Sequence, residues 1–441
     1  MSFFRSTLHA PRNRVVHCFG DFPVRSQGFI YTELSHLLDC GLPITILSRR
    51  RRHGELPAGL PGSSSLDVLS ADEVLRPRFL FGASGIRIFA AVLARPVVSV
   101  RAVSAIIRRR GFNRSESRAA LLGMAIALLA IDATTAIVHC QFATLAATVT
   151  RFRELGCFSA PIVVAIRGHD LNRALREFPR RPGAFFQAPD LFLPVSDDFR
   201  NQLIDKGCGP EKIAVHYTPL DVSRFVETKS RHPDSSLPSH PLGVLSVGRF
   251  VEKKGFEYTI RAIGILLARG YAVELSLVGD GPRFEMLRRL VVELGISQHV
   301  RFAGFLDQQA LTDEYQRASI FALHAMTDST GNQEGIPNVI KEAMASGLPV
   351  VSTLHAGIPE VVEQGETGIL CRERNVEEFA DALEQLYLDA DFRRTLGANG
   401  RRRVEEQFNI SSVTSQLVEL YEKLHREYSG NRPGWIRIRR P

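Results

Sequence analysis

Cysteine is sparse and unpatterned in this chain. The six among 441 residues (Cys18, Cys40, Cys140, Cys157, Cys208 and Cys371) form no CxxC pair and no metal-type spacing. That excludes a disulfide framework and makes most of them small apolar fillers, with a reducing cytoplasm as the expected compartment. Long apolar runs are missing too. The longest, Ala119 to Ile131, stops after thirteen residues at Asp132, too short to cross a bilayer and right for a buried helix. Residues 1 to 13 are polar and basic and lead straight into VVHCF, so no secretory leader is expected. Solenoid-type repeats and long low-complexity tracts are also lacking. No known nucleic-acid reading motif or interleaved aromatics accompany the basic stretches, which argues against a nucleic-acid partner.

The composition that remains is that of a globular protein, 44% apolar and 23% charged, long enough for two domains or more. Charge is uneven: residues 1–240 carry 31 Lys+Arg against 20 Asp+Glu, a net of +11, while the remainder has a net of −3. The basic clusters Arg49–Arg52, Arg108–Arg110 and Arg173, Arg176, Arg180, Arg181 fit peripheral contact with an anionic membrane, or simple solubility. WIRIRRP at the end, 435–441, allows the same membrane contact or a frayed terminus.

The most informative stretch is 326–353, MTDSTGNQEGIPNVIKEAMASGLPVVST. Pro337 suits the first turn of a helix, and Gly347 with Pro349 supplies the stop, so a helix of about ten residues is expected. Free amides at Gly335, Ile336 and Asn338, with the positive end of the helix dipole, make a receptor for phosphate or pyrophosphate. Glu334 stands just before that receptor and Glu342 within the helix, so the two can reach different parts of one ligand.

Along the chain, RVVHCFG (14–20), the loop to a helix ending near Asp39, and ITILSRR (44–50) announce a parallel α/β sheet with its sites at the carboxyl ends of strands. Gly28, after the first strand, would let the backbone approach a ligand. Residues 55–118 are informative only as helical. A helix over 117–132, strands at 136–140 and 161–166, and a strand at 191–196 follow, with Asp197 expected to cap the next helix. The strand at 161–166 ends in RGHDL, which puts Arg167, His169 and Asp170 at its carboxyl end. TKSRHPDSSLPSHPLG (228–243) reads as a linker. A second domain begins with LSVGRF (245–250), where Arg249 and Lys254 flank FVEK. Two cations on such a loop can neutralise a leaving diphosphate.

GRFVEKKG, GDGP, FAGFL and EGIPNVIKEAMASGLPVV, taken together and in this order, resemble the C-terminal signature of retaining glycosyltransferases of family 4, of the colanic-acid and amylovoran exopolysaccharide type. The likeness runs from about residue 14 to 425. It implies an α/β GT-B fold in which two Rossmann-like domains with parallel sheets face each other across a cleft. The domains would be 1–237 for the acceptor and 238–412 for the nucleotide-sugar, with helix 413–428 crossing back to the first.

By the same resemblance, Arg249 and Lys254 hold the diphosphate, Glu342 meets the ribose, Gly304, Phe305 and Leu306 lie near the base, and Gly279 belongs to the same donor side. Glu334 meets the sugar hydroxyls, with Gly335, Ile336, Pro337 and Asn338 around sugar and phosphate. Related enzymes carry HGxD near the sugar. Here Arg167 stands at that place and His169 two residues on, so the acceptor-side role falls to one of them. SQGF (26–29) likewise replaces a frequent SETF.

There is no DxD-like metal motif and no cofactor is expected beyond the nucleotide-diphosphate-sugar donor, so metal-independent transfer is the expectation. Its acceptor would be a glycan or lipid-linked oligosaccharide, and its place the cytoplasm or the inner face of the cytoplasmic membrane. A catalytically silent nucleotide-sugar-binding scaffold and a GT-B-fold sugar-nucleotide epimerase are the alternatives.

Overall fold

The structure, a computed structural model, describes residues 14–24, 27–51, 66–71, 90, 92–108, 112, 116–131, 135–167, 170–177, 182–225 and 241–429. Contacts divide the chain into two compact units, one of Met1–Val195, Arg200–His216 and Val413–Pro441, the other of Ser196–Phe199 and Tyr217–Ser412. The division at His216/Tyr217 precedes the expected 237/238 because Val222 and Phe225 sit in the core of the second unit. Most of the linker stretch, 226–240, lies outside the described residues.

Each unit is built on a six-stranded parallel sheet. The first contains β1 (Arg14–Phe22), β2 (Ile44–Arg51), β3 (Leu66–Ser70), β4 (Thr135–Cys140), β5 (Ile162–Ile166) and β6 (Leu191–Pro194), in the order β3-β2-β1-β4-β5-β6. The second contains β7 (Leu242–Val247), β8 (Val273–Val278), β9 (Val300–Gly304), β10 (Ile320–Ala322), β11 (Val350–Thr353) and β12 (Gly368–Cys371), in the order β12-β11-β10-β7-β8-β9. Both are the same doubly wound topology, with the order reversing beside the first strand: between β1 and β4, and between β7 and β10. Ligands of such sheets bind outside the carboxyl ends of strands at that reversal.

The strands are short apolar runs because both faces are covered by helices. In the first unit, helix Arg118–Ile131 buries Leu121, Met124 and Leu128 on one side of the sheet. Helix Gly28–Asp39 and the last helix, Ile410–Ser429, supply Ile30, Leu34, Leu37, Leu417 and Tyr421 to the other. In the second unit, helices Phe256–Ala268 and Val376–Leu388 fill one core and helix Asn338–Ala345 the other. All six cysteines are free thiols, five of them buried.

Three expectations change. Residues 66–70 are not helical but form β3, paired in register with β2 from Ile44↔Leu66 to Ser48↔Ser70; LDVLS is too short to show a strand period. Asp197 is not a cap but the first residue of helix Asp197–Asp205. The cap is the carboxylate of Glu360, which accepts from the amides of Asp197 (2.7 Å) and Asp198 (3.0 Å), while Ser196 Oγ accepts from Phe199. Asp-x-Asp does occur, at 389–391, but Asp389 caps helix Ala390–Gln407 through the amide of Phe392 at 2.8 Å and Asp391 pairs with Arg394.

Gly255 is the tightest local requirement. It turns the chain from the loop after β7 into helix Phe256–Ala268 at φ 58°, and a Cβ there would stand 1.8 Å from the His324 carbonyl oxygen. Gly255→Ala should therefore destabilise the protein by at least about 2 kcal/mol, read by urea unfolding; an unchanged midpoint would contradict this packing.

Candidate functional site

In the second unit the loops that follow β7 and β10, the two strands at the reversal, are laced together. The Met326 amide donates to the Lys253 carbonyl at 2.9 Å, Lys253 Nζ donates to the Gln333 carbonyl at 3.3 Å, and Glu252 accepts from the Ser329 amide (3.1 Å) and hydroxyl (2.9 Å). The first loop carries a single 3-10 turn, Glu252–Lys254, which presents consecutive lysines. The second carries Glu334. Its carboxylate is clamped between them, Oε1 at 2.9 Å from Lys253 Nζ and Oε2 at 3.2 Å from Lys254 Nζ. Burial pushes this carboxyl up, but Lys254 and Lys253 outweigh it and bring the pKa down to about 2.

The Glu334 backbone is also fixed. Its amide donates to His355 Nε2 at 3.1 Å, and His355 Nδ1 meets Glu373 Oε1 at 2.6 Å. Because Nε2 accepts, the proton is on Nδ1 and is donated to the carboxylate. Glu373 also accepts from the Thr327 amide at 3.1 Å, so one buried imidazole ties the start of this loop to its end.

After Glu334, the helix runs Asn338–Ala345, eight residues rather than ten, with Pro337 as N-cap and no side-chain cap. The amides of Gly335, Ile336, Asn338 and Val339 meet no acceptor among the described residues, while Ile340 bonds back to Pro337. These donors at a helix start form an anion receptor. Glu342 lies further along, Oε2 accepting from the Tyr315 hydroxyl at 2.9 Å and Oε1 without a described partner. Burial raises its pKa in spite of Tyr315, Lys341 and Lys254. Lys341 turns away, its ammonium donating to the Thr218 carbonyl and lying 5.8 Å from the Phe408 ring centre.

Of the other residues singled out on this side, Arg249 is exposed and makes no ion pair with any described residue. Gly279 has φ 135°, and a Cβ on it would fall 1.9 Å from the Gly248 carbonyl oxygen; its amide donates to the Gly304 carbonyl at 2.8 Å. The glycines therefore seat the loops after β7, β8 and β9 against one another. Phe305 follows with 86% of its surface exposed, and Leu306 is half-buried.

In the first unit a buried polar network lies at the matching strand ends. His17 on β1 and His139 on β4 are register partners with ring centres 5.0 Å apart. Gln141 accepts from Arg167 Nη2 at 3.3 Å, and its Nε2 lies 2.7 Å from His17 Nδ1. Glu33, on helix Gly28–Asp39, holds His216 Nε2 at 2.8 Å and Arg167 Nη2 at 3.5 Å. Burial raises the Glu33 carboxyl, but His216 and Arg167 bring it to about 2; burial lowers His17 to about 4. His139 Nδ1 lies 2.6 Å from the Tyr421 hydroxyl of the last helix. Arg167 stacks over Phe29 at 5.3 Å.

His169 lies outside the described residues, as do the side chain of Asp170 and residues 180 and 181. Gly28 is the first residue of its helix, and a Cβ there would meet nothing within 4 Å, so no close approach demands glycine. The structure thus joins Glu334 to Lys254 and leaves Arg249 without an ion pair among the described residues. Lys253, His355, Glu373 and Tyr315 were not singled out in the sequence. For Lys253 the one local signal was its place beside Lys254 in EKKG.

Known proteins resemble this chain in sequence and in fold. Residues 228–403 match the family model described as glycosyl transferases group 1. The chain is 32% identical over 312 residues to WcaL of Salmonella typhimurium, a colanic acid biosynthesis glycosyltransferase by name, covering 70% of this chain and 76% of that one. It is 29% identical to AmsK of Erwinia amylovora, an amylovoran biosynthesis glycosyltransferase, covering 91% of this chain and 98% of that one. Among solved structures, Anabaena HepE in complex with UDP superposes with a TM-score of 0.65 at 15% identity, over 93% of this chain and all of that one. Sucrose-phosphate synthase from Thermosynechococcus elongatus gives 0.67 at 18%, over 94% and 100%. These likenesses show the GT-B fold.

Two outcomes follow. His355→Leu strands the Glu334 amide and the Glu373 carboxylate and should cost about 2 kcal/mol of unfolding free energy; a variant as stable as the parent would remove His355 from this role. His17 takes its proton only near pH 4 when folded but near its ordinary value when unfolded. Stability carried by the neutral ring is complete above about pH 6.5 and declines as pH falls toward 4. His17→Gln should lose less stability than the parent across that window, measured by thermal unfolding at stepped pH; parallel losses would contradict it.

Proposed function

As a member of the group 1 glycosyl transferases the chain is a glycosyltransferase, and we propose that it moves a sugar from a nucleotide-diphosphate-sugar to a glycan or lipid-linked oligosaccharide, with retention and without a metal ion, in exopolysaccharide biosynthesis. The observation that carries this reading is the Glu334 carboxylate held by two lysines immediately before a row of amides that meet no acceptor among the described residues. A pyrophosphate takes those amides on one side and Lys254 and Arg249 on the other. As the C1–O bond breaks, charge grows on the leaving diphosphate, and preorganised cations and amides lower its energy more than that of the ground state.

Glu334, kept ionised, orients a sugar hydroxyl, and Glu342 offers its open oxygen to the ribose. Phe305, with Gly304 and Leu306, meets the base. On the acceptor side, Arg167 is held by Glu33 and Gln141 so that its charge is fixed in place. The relatives' names support the exopolysaccharide setting, and HepE, named with UDP, supports a nucleotide-linked donor.

The test is a transfer assay with a panel of nucleotide-sugars. Lys254→Ala should lower kcat on the order of 10²-fold or more, as loss of a charge-stabilising donor does, and Glu334→Gln should reduce turnover while nucleotide binding persists. The parent's rate should be unchanged by EDTA. Full activity of Lys254→Ala, or a rate abolished by EDTA and restored by magnesium, would overturn the reading in its respective part.

A further inference from the structure

Helix Pro96–Ile107 is apolar on both sides. Ala102, Ala105 and Ile106 face the core of the first unit, yet Val97, Val100, Val103 and Ile107 are 62%, 68%, 40% and 60% exposed. At 100° per residue these four lie within about 120° of one another, so they form one outward stripe. Leu93, in the preceding helical turn, is 60% exposed as well. Large apolar side chains gathered on one face of a helix mark a surface that is covered in use.

Its charge says by what. Arg101 and Arg108 stand on one edge of the stripe, exposed and without an ion-pair partner among the described residues. In sequence the helix sits inside residues 74–115, which contain nine arginines, no lysine, and no Asp or Glu. An apolar helix face whose own segment carries only cations matches an anionic bilayer, whose headgroups take the charges and whose acyl boundary takes the valines. Twelve residues cannot span a bilayer, and no helix among the described residues is long and apolar enough to do so, so the contact is in the plane of the surface. Of the basic clusters noted in the sequence, Arg49 is not available for this: its guanidinium pairs with the buried Glu116 at 3.2 Å.

We infer that the outward face of helix Pro96–Ile107 is a docking surface for anionic lipid bilayers, with Val97, Val100, Val103 and Ile107 entering the interface and Arg101 and Arg108 at the headgroups. This extends the lipid-linked acceptor reading above, but vesicle binding is measured without any sugar transfer, so the two can fail separately.

The full chain would be floated with phosphatidylcholine vesicles with and without phosphatidylglycerol, at low and high salt. The parent should bind only the anionic vesicles and bind less as salt rises. Val97→Glu/Val100→Glu should weaken binding on the order of tenfold or more at low salt, through lost apolar insertion and added negative charge. Arg101→Ser/Arg108→Ser should weaken it by a similar factor and flatten the salt dependence. Both variants should keep the parent's thermal midpoint and its UDP or GDP binding. Failure of the parent to float, or parental binding by Val97→Glu/Val100→Glu, would overturn the inference. So would a variant whose only change is from dimer to monomer in size-exclusion chromatography, since a second copy would then cover the face.

Discussion

A carboxylate shared between two adjacent ammonium groups is the interaction on which the second unit is arranged. Glu334 is largely removed from solvent, and a lone buried carboxylate would take up a proton. Lys253 and Lys254 prevent this, and they can do so only because a 3-10 turn directs two successive side chains to one place. That turn exists because Gly255 reverses the chain at positive φ against the His324 carbonyl. Glu334 in turn is held by its backbone to His355. One electrostatic cluster therefore joins the loops of β7 and β10 at the topological reversal, and the neighbouring amides meet no acceptor among the described residues.

The two units use one topology differently. In the first, the strand ends at the reversal are closed by a chain of side-chain hydrogen bonds through His17, Gln141, Arg167, Glu33 and His216. In the second, the equivalent place offers backbone donors and cations. Buried hydrogen bonds of this kind hold the Arg167 guanidinium against Glu33 and Gln141. Unpaired amides at a helix start suit an anion that arrives and leaves.

Much of this was legible in the sequence because it depends on local pattern. The short apolar strands, the Pro337 start with its Gly347 stop, and the GRFVEKKG and EGIPN motifs are each contained in one short stretch of chain. β3 escaped because five residues without a period look like any apolar fragment. His355 and Glu373 escaped because their bonds to Glu334 and Thr327 join positions that only the sheet brings together. Glu33 was likewise invisible: a glutamate amid a helix reads as solvated until β5 delivers Arg167 and the segment after β6 delivers His216. Glu360 as a cap for Asp197 has the same origin. Long-range electrostatic pairing, not secondary structure, is what the chain conceals.

The proposed transfer depends on a diphosphate bound between Lys254 with Arg249 and the amides of Gly335, Ile336 and Asn338. Calorimetric titration of UDP and GDP, each against its parent nucleoside, into the parent protein and Lys254→Met measures this directly. The account predicts that the parent strongly prefers a diphosphate and that the variant loses most of that preference while nucleoside binding stays level. An undiminished preference in Lys254→Met would contradict it.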